Sequence, residues 1–278
     1  MRKVTDLKPL ARGDTRSGLN LSPDGQWLAV CGFDGKQRGV FLIPTAGGQP
    51  QLLEEVGRQD SVLPMWSPDG NWLAYTLGQQ LIRKSRDGQV RETLATLPIW
   101  QSWSVRWSPD GTRIASFGDT TTNLKPAETE NSSVYVVTVA DKTVRKITAD
   151  TETQWKEGLE WHPSGEYLAY IFNGPERFSA QIRRAWVDGR PTDLMIQQTN
   201  HSDYVGVWAP DGKRYFFTSS AQNEKSIHLY DAQTKQITHG LWDGRMNALS
   251  RWSRDGRAAV WAIGGTLRYF EVIEDFPK

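Results

Sequence analysis

The chain has 278 residues, and its 33 lysines and arginines nearly balance its 32 acidic residues, which leaves a formal net charge of +1. This balance provides no broad field for nucleic acid or for an anionic membrane surface, so neither is a predicted partner. The single cysteine, Cys31, excludes an intramolecular disulfide and a cysteine-rich metal site. No apolar stretch reaches the roughly 18 residues of a membrane span, so membrane insertion is not expected.

One short turn recurs six times along the chain at intervals of roughly 45 residues, the length of a four-stranded propeller blade. The copies are Ser22-Pro23-Asp24-Gly25, Ser67-Pro68-Asp69-Gly70, Ser108-Pro109-Asp110-Gly111, His162-Pro163-Ser164-Gly165, Ala209-Pro210-Asp211-Gly212 and Ser253-Arg254-Asp255-Gly256. Proline presets the first corner, aspartate or serine bonds the turn amides, and glycine adopts the left-handed backbone that closes a hairpin. The flanking segments are therefore predicted to be two antiparallel strands, A and B.

Four strands are predicted in each repeat. Strand A ends in an apolar residue directly before the turn: Leu21, Trp66, Trp107, Trp161, Trp208 and Trp252. Strand B follows the turn at 27–30, 72–75, 113–115, 167–170, 215–217 and 258–261. Strands C and D of the first five repeats are predicted at 39–43 and 51–53, 80–84 and 89–94, 134–139 and 144–147, 181–187 and 192–196, and 226–230 and 236–238. We expect the turn-preceding tryptophans to pack between neighbouring blades.

These elements predict an all-β fold, a six-bladed β-propeller of four-stranded antiparallel blades that forms one domain over residues 1–278. The approximate blade bounds are 13–56, 57–98, 99–149, 150–198, 199–240 and 241–275. The last repeat ends after a strand C at 266–273, so it lacks its outer strand. We expect the N-terminal strand at 3–10 to pair with this last blade and to close the ring.

The repeated W-S-P-D-G followed by a short apolar strand resembles the repeat of the TolB-like propeller family. The full S-P-D-G stands at Ser22, Ser67 and Ser108, and the other three copies depart from it at one or two positions. The resemblance implies a six-bladed ring around a central channel, and a function that ranges over protein docking, ligand sensing and polysaccharide lysis. By the same resemblance the protein is periplasmic if a leader has been removed, and cytoplasmic if Met1 is the native start.

A prolyl-oligopeptidase-type peptidase is excluded, because the chain has neither a G-x-S-x-G motif nor room for a hydrolase domain.

A binding site is expected on the loops opposite the S-P-D-G turns, because those turns form the structural rim. Aligning the repeats places aromatic, charged and amide side chains together there. The predicted site residues are Asp14, Arg16, Trp100, Trp103, Trp155, Lys156, Glu157, His201, Asp203, Tyr204, Arg245 and Asn247. The long connections 118–133 and 173–179 favour the side of the third and fourth blades. The same residues also fit a solvated rim with salt links between neighbouring blades.

The leading hypothesis is a non-enzymatic module, a monomer without cofactor or metal, that binds a protein or peptide through this rim. The alternative is a carbohydrate-active enzyme of the polysaccharide lyase type, with His201 as base beside Tyr204 and Arg245. A ligand-sensing domain of a larger regulator is the third hypothesis. In these alternatives the ligand is a carbohydrate or a small molecule.

Overall fold

The structure is a computed structural model, and it describes thirteen segments of the chain. They are residues 8–9, 20–57, 62–97, 99–100, 104–119, 133–149, 156–173, 180–198, 202–221, 224–243, 246–252, 259–263 and 270–272. Every regular element within these segments is a β-strand, so none of them contains a helix long and apolar enough to cross a membrane. The chain divides into two compact units, Met1–Thr129 with Ser133–Lys146, and Glu130–Ser132 with Ile147–Lys278.

The first unit contains three antiparallel sheets. The first sheet is formed by β1 (Lys8–Pro9), β2 (Asn20–Leu21), β3 (Trp27–Phe33), β4 (Arg38–Pro44) and β5 (Gln51–Glu55). The second sheet is formed by β6 (Met65–Trp66), β7 (Trp72–Leu77), β8 (Gln80–Ser85) and β9 (Arg91–Thr96). The third sheet is formed by β10 (Ile99–Trp100), β11 (Arg106–Trp107), β12 (Arg113–Asp119), β13 (Ser133–Thr138) and β14 (Val144–Lys146).

The second unit also contains three antiparallel sheets. The fourth sheet is formed by β15 (Lys156–Trp161), β16 (Tyr167–Phe172), β17 (Gln181–Trp186) and β18 (Asp193–Ile196). The fifth is formed by β19 (Ser202–Trp208), β20 (Arg214–Ala221), β21 (Glu224–Asp231) and β22 (Ile237–Asp243). The sixth is formed by β23 (Met246–Trp252), β24 (Ala259–Ile263) and β25 (Phe270–Val272). The predicted order of strands A to D is confirmed in five sheets, and the described part of the sixth contains strands A to C.

The prediction that the N-terminal strand joins the last blade is wrong for its described part. β1 pairs with β3 of the first sheet, with Lys8 opposite Phe33 and Pro9 opposite Gly32. β2 covers only Leu28 and Ala29 of the same strand. The far half of β3 would otherwise present unpaired backbone groups, and β1 supplies partners for them. The remainder of the predicted strand lies outside the described residues.

The predicted turn between strands A and B is confirmed in the first five repeats, and the sixth copy lies outside the described residues. The five glycines have φ between 69° and 72°, the left-handed region that favours glycine. In the second copy the Gly70 amide donates to the Ser67 carbonyl at 2.9 Å. The Ser67 hydroxyl accepts from the Trp72 amide at 2.9 Å, and the Asp69 carboxylate accepts from the Asn71 amide at 3.0 Å. Serine and aspartate therefore saturate the backbone of the turn.

Neighbouring sheets of the first unit are joined through the turn-preceding tryptophans. The buried Trp66 donates its indole N–H to the Asn20 carbonyl of the first sheet at 2.9 Å. In the same way Trp107 of the third sheet donates to the Met65 carbonyl of the second at 3.1 Å. The expectation that these tryptophans pack between blades is confirmed at both positions. Each link combines apolar burial with a satisfied indole donor.

The hydrophobic core lies between the faces of adjacent sheets, as alternation along β7 illustrates. Leu73 and Tyr75 are fully buried in a cluster with residues of the first sheet. Ala74, which points to the opposite face, is buried in a cluster with residues of the third sheet. A strand with both faces covered is continuously apolar rather than alternating. This explains why strand B is an unbroken apolar run in most repeats.

In the second unit a histidine replaces the serine of the fourth turn and connects it to the fifth. The His162 imidazole donates from Nε2 to the Gly212 carbonyl at 3.0 Å, and its Nδ1 accepts from the Ser164 amide at 3.1 Å. The ring stacks on Tyr167, with centroids 4.5 Å apart, and meets the edge of Trp208 at 4.6 Å. Burial lowers the pKa of His162, which favours this neutral tautomer.

Gly212→Ala is expected to destabilise the protein more than Gly25→Ala. Both glycines have the same backbone conformation, so each substitution costs about 1–2 kcal/mol. A Cβ at Gly212 would also lie 2.9 Å from the His162 ring, whereas nothing lies within 4 Å at Gly25. Overpacking of this kind adds about 1–3 kcal/mol. Urea unfolding of both variants measures the difference.

The double variant His162→Ser/Gly212→Ala is the control. Serine restores the residue of the first three turns and removes the ring from the added methyl group. The penalty of Gly212→Ala, measured against His162→Ser alone, is then expected to approach that of Gly25→Ala. Equal penalties in the presence and absence of the ring would contradict the proposed steric contact.

Candidate functional site

Each sheet has a regular end and a variable end. The turns between strands A and B lie at the regular end, and the connections between strands B and C lie at the opposite end because successive strands are antiparallel. We call this opposite end the loop end. The connection between strands B and C comprises residues 34–37 in the first sheet, 78–79 in the second and 120–132 in the third. The repeats therefore agree at one end of the sheets and differ in length at the other.

The structure describes the side chains of only two predicted site residues. Asp14, Arg16, Trp103, Trp155, His201 and Arg245 lie outside the described residues. Trp100, Asp203, Tyr204 and Asn247 lie on strands whose backbone is described. Trp100 pairs with Gly118 on β12, and Tyr204 pairs with Thr218 on β20. The predicted convergence of the twelve side chains stays a prediction.

The two described side chains, Lys156 and Glu157, begin β15 and differ in exposure. Lys156 is fully buried, and its ammonium lies 5.8 Å from the centroid of the Phe172 ring. The Arg183 guanidinium lies over the same ring at 3.9 Å. Glu157 is partly exposed. A buried ammonium beside an aromatic face is favoured by cation–π attraction.

β-Bulges interrupt strand A of every sheet in the second unit. The register shifts between Glu157 and Leu159 on β15, between Tyr204 and Val207 on β19, and between Met246 and Ala248 on β23. A bulge bends its strand and redirects the neighbouring side chains. The predicted site residues Glu157, Tyr204 and Asn247 lie beside or within these shifts. Sequence reasoning missed the bulges, although an isolated glycine within a strand is their usual signal, as at Gly158 and Gly206.

The bulge in β19 is built around Gly206 and a buried tyrosine of the next strand. The Gly206 amide donates to the Tyr215 hydroxyl at 2.7 Å. A side chain at this position would collide with the Phe216 carbonyl, so only glycine fits. Burial raises the pKa of Tyr215, which therefore stays protonated. This contact fixes the backbone two residues after Tyr204.

The described histidines make turn and ring contacts within the sheets and do not form a cluster of metal ligands. His162 belongs to the fourth turn, and His228 is buried on β21, where it stacks on Phe217 with centroids 5.3 Å apart. His239 meets the edge of the His228 ring at 5.2 Å. Among the described residues no group of three or more histidine, cysteine, aspartate or glutamate side chains lies close enough to hold a metal ion.

A cleft at the loop end of the first sheet was not predicted from the sequence. It has a volume of about 480 Å³ and lies between the β3–β4 connection and the end of β5. Its lining residues are Phe33, Lys36, Gln37, Arg38, Glu55, Val56 and Gly57. The sequence signal was the pair of cations, Lys36 and Arg38, directly after the turn residues Asp34 and Gly35. We call this feature the blade-1 cleft.

Comparison with known proteins identifies the fold. The WD40 family (WD domain, G-beta repeat) matches residues 13–36. No curated protein matches the chain. Oligogalacturonate lyase from Vibrio parahaemolyticus is similar in structure, with a TM-score of 0.75 and 14% identity, over 96% of this chain and 76% of the lyase.

Two further solved structures have the same architecture. An oligogalacturonate lyase in complex with manganese gives a TM-score of 0.73 at 18% identity, over 90% of this chain and 71% of that one. TolB from Acinetobacter baumannii gives 0.62 at 16% identity, over 88% of this chain and 57% of TolB. At identities of 14–18%, structural similarity shows the fold alone. The chain has the β-propeller fold found in TolB, and the predicted fold class is confirmed.

Tyr215→Phe is expected to destabilise the protein by about 1–3 kcal/mol, because it leaves the buried Gly206 amide without its acceptor. Ser219→Ala is the matched control on the same strand. The Ser219 hydroxyl is buried and has no hydrogen-bond partner among the described residues, so its removal is expected to be neutral or stabilising. Urea unfolding measures both effects. Equal losses would show that the hydroxyl of Tyr215 contributes nothing specific to the bulge.

Proposed function

We propose that this chain is a non-enzymatic binding module that engages a protein or peptide partner through the loop ends of its sheets. The observation that carries the proposal is the contrast between the two ends. Five turns at the regular end share one backbone conformation, and indole and imidazole hydrogen bonds link neighbouring sheets near that end. The loop-end connections share neither length nor sequence. Variation on a fixed scaffold is typical of a recognition surface.

The residue types at the loop ends also support recognition of a polypeptide. Trp100, Trp103 and Trp155 supply flat apolar faces, and Glu157 and Asp203 add charges to the same set of connecting segments in the sequence. Aromatic anchors surrounded by polar groups carry most of the binding free energy in protein interfaces. The similarity to TolB is consistent with such a role, and at this level of identity it supports the fold alone.

The proposal predicts that the loop-end tryptophans are required for partner recovery. Trp100→Ala/Trp103→Ala tests the first unit, and Trp155→Ala tests the second by itself. At least one variant is expected to reduce recovery of a partner from native extract by about tenfold or more, because truncation of an interface anchor costs roughly 2 kcal/mol. The partner is identified by mass spectrometry, and its affinity is then measured with purified proteins.

Leu21→Ala/Val90→Ala is the control for this experiment. Both side chains are exposed and apolar. Leu21 lies directly before the first turn, and Val90 lies two residues after Gly88 of the turn at Asp87 and Gly88. The control is expected to keep the affinity of the wild type. Thermal unfolding verifies that each variant is folded. Unchanged affinity in both loop-end variants, or an equal loss in the control, would refute the proposed surface.

A lyase acting on acidic oligosaccharides is the second candidate, because two of the similar solved structures are oligogalacturonate lyases. In this candidate His201 removes a proton from the sugar and Arg245 binds its carboxylate, and Tyr204 is the third residue assigned to the site. The described residues contain no group that fits a metal, so no step is assigned to one. As the proton leaves, the glycosidic carbon–oxygen bond breaks, a carbon–carbon double bond forms, and the released oxygen takes up a proton. The double bond absorbs in the ultraviolet.

Incubation with oligogalacturonate, with and without Mn²⁺, decides between the candidates. The binding-module proposal predicts no increase in ultraviolet absorbance in either condition. An increase that is abolished by His201→Ala would replace it with the lyase. An increase that persists in His201→Ala would support catalysis and refute the assigned base.

A further inference from the structure

The blade-1 cleft has the size and position of a small binding site. Its volume of about 480 Å³ lies within the range of roughly 300–1,000 Å³ found for small-ligand pockets. It opens at the loop end, where the β3–β4 connection and the end of β5 meet. None of its lining residues belongs to the predicted site. The cleft is therefore a separate candidate, formed by the first sheet alone.

The loop that forms one wall of the cleft is ordered by Asp34. Its carboxylate accepts the backbone N–H groups of Lys36 at 2.8 Å and Gln37 at 2.9 Å. These hydrogen bonds hold the pKa of Asp34 below its ordinary value, and the bond from the Gln37 amide has the larger effect. The Arg38 carbonyl in turn accepts the Val56 amide at 3.1 Å. The backbone that carries both cations is thus fixed on each side.

Arg38 holds a donor that the described part of the protein does not satisfy. Its Nε atom is buried and has no hydrogen-bond partner among the described residues. Within the same part of the chain, Lys36, Arg38 and Glu55 form no salt bridge. Because Arg38 lines the cleft, an anion bound there would meet a guanidinium that no described carboxylate neutralises.

The neighbours of Arg38 define which acceptor fits. A guanidinium presents its donors as a planar fork, which matches the two oxygens of a carboxylate. Phe33 is the cross-strand partner of Arg38, so both side chains lie on one face of the sheet, and Val56 adds a second apolar wall. Glu55 places a negative charge at the cleft, which disfavours a doubly charged phosphate. The lining fits a singly charged carboxylate with an apolar body.

We infer that the blade-1 cleft binds a carboxylate of a peptide, with Arg38 as the bidentate donor and Lys36 as the second cation. In this assignment Phe33 and Val56 contact the apolar part of the bound residue, and the side-chain amide of Gln37 bonds its backbone. The inference rests on the proposed function in that it takes a peptide as the ligand. It adds the chemistry that is recognised and the residues that recognise it.

Small probes test the cleft without a partner protein. Acetyl-leucine carries a terminal carboxylate and an apolar side chain, and acetyl-leucinamide is its neutral counterpart. Titrations followed by NMR are expected to show saturable binding of the acid and at least tenfold weaker binding of the amide. Acetyl-glutamate α-amide shows which part of the peptide supplies the carboxylate. Tighter binding of this probe assigns a side-chain carboxylate, and tighter binding of acetyl-leucine assigns a C-terminus. Either result supports the inference.

Three variants connect the binding to the named residues. Arg38→Gln is expected to weaken binding of the acid about tenfold or more, because it removes hydrogen bonds to a charged group. Arg38→Lys keeps the charge without the fork, so an intermediate loss is expected. Lys213→Gln removes one positive charge from an exposed position in the turn between β19 and β20, and it is expected to leave the affinity unchanged. Thermal unfolding confirms that each variant is folded.

Several results would overturn the assignment. They are equal binding of acetyl-leucine and its amide, no binding of either acid, wild-type affinity in Arg38→Gln, and tighter binding of inorganic phosphate than of the acids. These outcomes are distinct from failure of the proposed function. If the loop-end tryptophan variants keep full partner affinity while acetyl-leucine still binds, the proposed function fails and the cleft remains a carboxylate site. If those variants lose the partner while acetyl-leucine does not bind, the chain remains a binding module and the cleft assignment fails.

Discussion

The link between neighbouring sheets at their regular ends is the interaction on which the rest of the structure depends. A sheet of four short strands is stable only when its faces are covered. The indole of Trp66 reaches the backbone of the first sheet, and the indole of Trp107 repeats this contact one sheet further along the unit. The second turn packs against the first, since a Cβ at Gly70 would be in ordinary contact with the Pro23 ring at 3.4 Å. Turn geometry and sheet packing are therefore one constraint.

The fourth and fifth turns meet the same constraint with different chemistry. The imidazole of His162 fills the space beside Gly212 and donates to its carbonyl, while Trp208 packs against the ring edge. The Trp208 indole N–H, unlike that of Trp66, has no hydrogen-bond partner among the described residues. The histidine therefore replaces an indole-to-backbone link with an imidazole-to-backbone link. A substitution in the repeat is compatible with the fold when the hydrogen bond between sheets is conserved in another form.

The sequence predicts those parts of the fold that depend on local chemistry. The S-P-D-G turns, the strand order and the packing of Trp66 and Trp107 follow from residues within one repeat. The N-terminal strand was misplaced because its partner depends on how far β3 extends beyond β2, which no local pattern reveals. The bulge at Gly206 depends on a hydroxyl nine residues further along the chain. Of the candidate site, the sequence identified residue types, whereas the blade-1 cleft required the pairing of Phe33 with Arg38.

The blade-1 cleft and the pairing of β1 with the first sheet have a common origin. β3 and β4 pair as far as Phe33 and Arg38, beyond the part of β3 that β2 covers. This extension leaves backbone groups on β3 that β1 satisfies. It also places Arg38 at the loop end of β4, where its carbonyl accepts the Val56 amide. A longer hairpin therefore creates both a new pairing position and a new cationic wall. The described turns at the regular ends share one hydrogen-bonding pattern, so differences in length between the repeats are accommodated at the loop ends.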